Sequence, residues 1–192
     1  MKISTKNILV ALTGGLFFLF IAGCKKSPLD IITPDSEYYI RCKVDGSEKK
    51  WKIPDSAYFF TTPVSAANIN EIKQFACSGV DDLNTMNGLS ININDFTGSN
   101  IVAGKTYKTV VTGGITSTQA MITWNNLTGD AYVSVLSMIG PVKESAEITL
   151  TEITDKYVKG AFKGKLLVDE VNSATVKYNL TNGEFYLPRS RK

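Results

Sequence analysis

Three cysteines, at positions 24, 42 and 77, are the side chains of this 192-residue chain best suited to covalent chemistry, and they have no imidazole to activate them. The sequence contains no histidine at all. Nucleophile pairs of the Ser-His-Asp and Cys-His kind therefore cannot be assembled, and zinc sites built on imidazole are excluded too. Chemistry on carboxylates, tyrosine or lysine stays open, but no residue is assigned a catalytic role, no metal-ligand set is assigned, and no cofactor is expected.

The remaining constellations each have a plainer reading. Gly104-Lys105-Thr106 has the ending of a phosphate-binding loop, yet Ser99 stands where that loop needs glycine, and a strand follows where it needs a helix N-terminus. Asn92, Asn94, Asp95 and Asn100 form an oxygen-rich patch with one carboxylate, which reads as a polar strand face running into a turn more than as a calcium loop. The adjacent acids Asp81-Asp82 and Asp169-Glu170 would point to opposite faces of an extended backbone, so neither makes the convergent pair that glycoside hydrolysis uses. Trp51, Trp124, Tyr58, Tyr107, Tyr132 and Phe59 could stack on sugars, but aromatics are equally what a sandwich core buries. Lys159, Lys163, Lys165 and Lys177 would share outward faces of two late strands, as solvated edge protection or as a contact for anionic head groups or glycans. Asp55-Ser56-Ala57 resembles a short O-glycosylation acceptor and makes Ser56 a candidate for modification, whereas the sequons at Asn126 and Asn179 carry little weight.

Cys24 differs from the other two cysteines in its setting. Lys2 and Lys6 are followed by an apolar run from Ile8 to Ala22, and small Ala22 and Gly23 precede the cysteine. The run carries Gly14 and Gly15 and falls short of the roughly 20 apolar residues of a membrane-spanning helix. It reads as an export signal. Its end resembles the bacterial lipobox, with Ile21 where leucine is commoner, which implies cleavage before Cys24 and lipid, palmitate included, at that residue's thiol. Removal of residues 1–23 takes away two lysines and no acid, so the formal charge falls from +3 to +1, a balance that makes no case for nucleic acid. Cys42 and Cys77 then remain as an even pair in an oxidising compartment. A disulfide between them and two separate buried thiols are both open readings.

Three segments follow from this: a signal over 1–23, a lipidated cysteine with a proline-containing tether over 24–37, and a single β domain over 38–192. Alternation marks Tyr38–Val44, and Asp45-Gly46 supplies a hairpin turn into Glu48–Ile53. A short helix is expected over Ser65–Lys73. Leu89, Ile91 and Ile93 alternate with polar residues, and strands are expected over Thr106–Val111, Ala120–Trp124 and Ala131–Met138. In Val158–Val168, Val158, Phe162, Leu166 and Val168 share one face with two glycines while three lysines take the other, a period of two that no helix has. Asn182-Gly183 is expected to turn the chain between a strand at Val176–Leu180 and a last one at Glu184–Leu187. Some nine or ten short strands without long amphipathic helices predict an all-β fold, an antiparallel two-sheet β-sandwich, with a closed or partly open barrel as the alternative.

The lipobox, Cys42-Lys43-Val44-Asp45-Gly46 with Trp51, the hairpin Glu147–Leu167 and the ending Tyr178–Phe185 together resemble a family of small exported lipoproteins of the Bacteroidota. That resemblance implies the β-rich fold and an outer-membrane location, and brings no catalytic residue. The expectation is a lipid-anchored envelope protein that binds or supports without catalysis, with another envelope protein or an extracellular glycan as partner, not nucleic acid. Residues 25–29 lack an acidic cluster, which favours the periplasmic face over the cell surface. The rival is an envelope enzyme using carboxylates, for instance on a glycan.

Overall fold

The computed structural model describes residues 38–66, 69–81, 87–112, 115–126, 130–134, 146–168 and 176–190. They fall within one of the two units of the chain, Pro34–Lys192; the other, Met1–Thr33, lies outside the described residues and includes Cys24 and the signal.

Every regular element among them is a strand, and every strand pair is antiparallel: β1 (Tyr39–Val44), β2 (Ser47–Trp51), β3 (Ile53–Pro54), β4 (Tyr58–Ala66), β5 (Ile69–Val80), β6 (Gly88–Asp95), β7 (Lys105–Lys108), β8 (Val110–Thr112), β9 (Ile115–Asn125), β10 (Ala131–Val133), β11 (Ala146–Ile153), β12 (Tyr157–Val168) and β13 (Val176–Pro188). The expected antiparallel sandwich forms, and strands beyond ten come from short pieces such as β3, β8 and β10. One layer runs β2-β1-β13-β12-β11-β7, and the other runs from β9 through β6 to β5, with β3, β4 and β8 at its margins. Strand β10 joins the two by pairing with both β9 and β12, and the sheet ends at β2 and β3 without closing into a barrel.

Alternation places the core. Ile40 and Cys42 of β1, Phe75 and Cys77 of β5, Leu89, Ile91 and Ile93 of β6, and Ile148 and Leu150 of β11 all point between the layers. At Gly79 of β5 an added Cβ would lie 3.2 Å from both Ile40 and Trp51, so the two layers meet there at van der Waals distance.

The strand with the plainest pattern, β12, holds the centre. Phe162 lies opposite Gly183, and Gly160 lies opposite Phe185. A Cβ on Gly183 would come within 2.5 Å of the Phe162 carbonyl oxygen, and one on Gly160 within 2.2 Å of the Phe185 ring. Each ring therefore covers the glycine across from it, filling space that a bare strand glycine leaves. The two rings stack at 6.4 Å, and Phe185 stacks in turn on Phe75 of the other layer at 5.9 Å.

Two local expectations are corrected. The described part of Ser65–Lys73, residues 65–66 and 69–73, is strand and not helix: β4 and β5 pair from Tyr58↔Ala76 to Ala66↔Ile69, and the packing of Phe59 on Phe75 holds the two strands together. Asn182-Gly183 does not turn the chain. It is a bulge inside the continuous strand β13, with Asn182 at φ 52° and the register shifting against both β1 and β12. The close packing of Gly183 under Phe162 fixes that kink. Asp45 and Gly46, at φ 48° and 86°, do make the expected two-residue hairpin turn.

Candidate functional site

Among the described residues the edge strand β4 pairs only with β5, and its outer margin forms part of a shallow groove of about 390 Å³. Phe59 and Phe60 supply rings, Gln74 and Asn100 amides, and Lys73 and Arg189 the cations. Ile101, Val102 and Ile153 make the apolar remainder. Phe60 is 39% exposed and Val102 47%, so two of the large hydrophobic side chains left open to solvent face this space.

Its parts are held from behind. Phe59 packs inward on Phe75 at 5.2 Å, and the Arg189 guanidinium lies 5.1 Å from the Phe59 ring centre while its Nη1 donates to the Thr154 carbonyl at 2.9 Å. Lys73 Nζ pairs with Glu71 at 2.8 Å and donates to Thr61 Oγ1 at 3.3 Å. The loop carrying Ile101 and Val102 is strapped by Tyr107, whose buried Oη accepts from the Val102 N–H at 2.8 Å; burial pushes that phenol's pKa up. Gln74 accepts from Thr62 Oγ1 and donates to Asn94 Oδ1 at 2.7 Å, and Asn94 donates to Gln119 Oε1 at 3.2 Å, a row of bonds across the outward faces of four strands.

A second region lies on the outward face of β1, β13, β12 and β11. Tyr186 is ringed by Tyr38 at 4.9 Å, Tyr157 at 5.1 Å and Tyr39 at 6.5 Å. Lys159 sits over both Tyr157 (4.9 Å) and Tyr186 (5.1 Å), and Arg41 sits over Tyr39 at 4.9 Å. Beside them Arg41 pairs with Glu184 at 2.7 Å, Lys159 with Glu152 at 3.2 Å, and Glu147 bridges Lys108 and Lys163 at 3.0 and 3.1 Å. Hydrogen bonds from both lysines hold the Glu147 carboxyl below the usual carboxylate range. The Tyr157 hydroxyl donates to Glu152 at 2.6 Å, which lowers the pKa of the acid and raises that of the phenol.

The residues singled out from sequence scatter across these regions. Cys24 lies outside the described residues. Cys42 and Cys77 are both free thiols, buried on the inward faces of β1 and β5, with no bridge between them. Burial pushes the Cys42 thiol up to about 12 against the opposing pull of Lys49, and pushes Cys77 up as well. Ser56 sits half-buried between β3 and β4, its N–H bonded to Asp55 Oδ1 at 2.7 Å. Trp51, Tyr107, Trp124 and Tyr132 are core residues, so of the six aromatics only Phe59 reaches the groove. Asn92 and Asn94 face outward while buried Asp95 faces inward and accepts from Thr97, so the oxygen-rich patch does not converge. Among the described residues there is no group of three or more acids or cysteines placed to hold a metal ion. Asp81 accepts from Asn87, which in turn accepts from the Trp124 indole N–H at 2.8 Å; Asp82, Asp169 and Glu170 lie outside the described residues. The lysines at 159, 163 and 165 do share an outward face, as expected.

Sequence reasoning passed over Lys73, Arg189 and Tyr186. Arg189 reaches Phe59 from 130 positions away, a proximity that no local pattern encodes. The alternation of Tyr39 and Tyr186 with buried neighbours was the signal available for the tyrosine cluster.

Fold and site define an antiparallel β-sandwich with an aromatic, amide-lined and cationic surface groove. No protein-family model matches the chain, and neither the curated proteins nor the solved structures contain a significant match.

Proposed function

We propose that the chain is an exported cell-envelope protein of the Bacteroidota lipoprotein kind, held at the outer membrane by lipid on Cys24 and working as a non-catalytic binding module. Its groove takes an extracellular or periplasmic glycan. One observation carries this reading: the groove combines exposed Phe60, amides at Gln74 and Asn100, and cations at Arg189 and Lys73, the lysine paired with Glu71 just outside the lining residues. Rings stack on the apolar faces of sugars, amides bond their hydroxyls, and the cations favour a glycan that carries acidic groups. Hydrolysis would need two convergent carboxyl groups flanking the bond to be cut, and the groove lining supplies neither.

Titration of the purified protein with neutral and acidic oligosaccharides tests this. Phe60→Ala and Lys73→Gln should each weaken binding of an acidic oligosaccharide by about tenfold, the equivalent of one lost stacking or charge contact. Binding indifferent to both substitutions would contradict the groove as the site. New reducing ends appearing on incubation would favour the enzyme instead.

A further inference from the structure

We infer that the outward face of β1, β11, β12 and β13 docks on a bilayer surface bearing anionic headgroups. The inference rests on the proposal that Cys24 carries the anchor. The chain enters the sandwich at Tyr38, and Tyr38 packs on Tyr186 in the middle of the tyrosine cluster. The segment from residue 24 to residue 37 therefore ends on this face. Its 14 residues span at most about 50 Å when fully extended. That covalent limit keeps the Tyr38 end of this face within about 50 Å of lipid on Cys24.

Charge separates this face from the rest. From Cys24 onward the chain carries a formal charge of only +1. Here the carboxylates Glu147, Glu152 and Glu184 are each engaged by a cation, and Glu147 by two. Lys165 and Lys177, with Lys50 on the adjoining β2, have no carboxylate partner among the described residues and outnumber exposed Glu48 of β2 beside them, so the face is left with a positive surplus. The row Gln74–Asn94–Gln119 on the outward face of the other layer is uncharged. Anionic headgroups attract lysines within a Debye length, and tyrosine is at home at the headgroup level with its ring apolar and its hydroxyl wet.

The test uses the full mature chain, purified from membranes and reconstituted into vesicles of phosphatidylcholine alone or with phosphatidylglycerol. Acetylation of exposed lysines is read by peptide mass spectrometry. Labelling of Lys50, Lys165 and Lys177 should fall several-fold in the anionic vesicles and recover in high salt, while Lys73 of the groove stays unchanged. The exposed double variant Lys165→Gln/Lys177→Gln should abolish the protection of Lys50. Equal labelling in the two vesicles, or equal protection of Lys73, would overturn the inference. Protection by a soluble acidic polysaccharide but not by vesicles would overturn it in favour of a glycan. The anchor is judged separately: failure to float with uncharged vesicles contradicts lipid at Cys24, and docking is then decided by flotation with the anionic ones.

Discussion

On the outward face of β5, β6 and β9 the side chains are uncharged, and Gln74, Asn94 and Gln119 bond to one another across the strands. On the outward face of β1, β11, β12 and β13 they are long cations, carboxylates and tyrosines. Both faces cover the same core, so the contrast is not about holding the layers together. Buried and half-buried amides satisfy each other in fixed register, indifferent to salt. Long charged side chains make weak, screened pairs whose surplus is available to a partner. Away from the groove margin at Gln74 the first face carries no charge, and the second still has charge to offer.

The largest expected effect breaks what both faces share. Phe162, 3% exposed, packs on Phe185 and covers Gly183, so Phe162→Ala should cost about 3–5 kcal/mol, read from denaturant midpoints. Its neighbour Lys163, on the opposite face of the same strand, should cost no more than about 0.5 kcal/mol as Lys163→Ala. Equal losses at the two would mean that the strand register is wrong.

A second test addresses the core through pH. The Cys42 thiol is pushed up to about 12 by burial, well above the roughly 8.5 of a solvated thiol. The folded state thus favours the protonated form. Its contribution is complete below about pH 8.5 and declines as the unfolded chain ionises first, up to the folded value near 12. Unfolding free energy measured between pH 8 and pH 11 should fall, less steeply in Cys42→Ala. Neither thiol should react with an aromatic disulfide reagent until the protein unfolds. A linked Cys42–Cys77 peptide in non-reduced protein would contradict the two free thiols.

The contrast between faces sharpens at smaller scale. Asn94→Ala removes the acceptor of the Gln74 amide N–H and the donor to Gln119 Oε1, while Gln74 keeps its bond from Thr62, and should cost about 1–2 kcal/mol at any ionic strength. Glu147→Gln removes a bridge between two exposed lysines, and after allowance for solvent screening it should cost less than about 1 kcal/mol and vanish in high salt. Because the Glu147 carboxyl titrates below its ordinary value, that contribution is present above the unfolded carboxylate range near pH 4.5 and is lost as pH falls through the folded value. If the Asn94 effect were the salt-sensitive one, the distinction between the faces would fail.

How much of this could be read from sequence depends on whether the cause is local. The alternation in β12 and β6 gave the strand type and the buried face directly, and Asp45-Gly46 gave its hairpin, because side-chain period and left-handed φ are properties of a few neighbouring residues. Ser65–Lys73 misled because the Phe59–Phe75 contact, which overrides local preference, joins two strands. Asn182-Gly183 misled because the same two residues serve a turn or a bulge, and Phe162 on another strand decides which. The groove was out of reach for the same reason: β4, β5, the loop before β7, the end of β11 and Arg189 each add a few side chains, and none carries a motif.

The difference between the two faces has a function only if one of them is held toward a bilayer, and that turns on residue 24. Intact-mass analysis of the mature protein, extracted from membranes with detergent, is the most direct measurement. The account requires a chain that begins at Cys24 and carries the added mass of a diacylglyceryl group and acyl chain there, with Cys24→Ala unprocessed or released. A mature N-terminus at any other residue, without lipid, would contradict it.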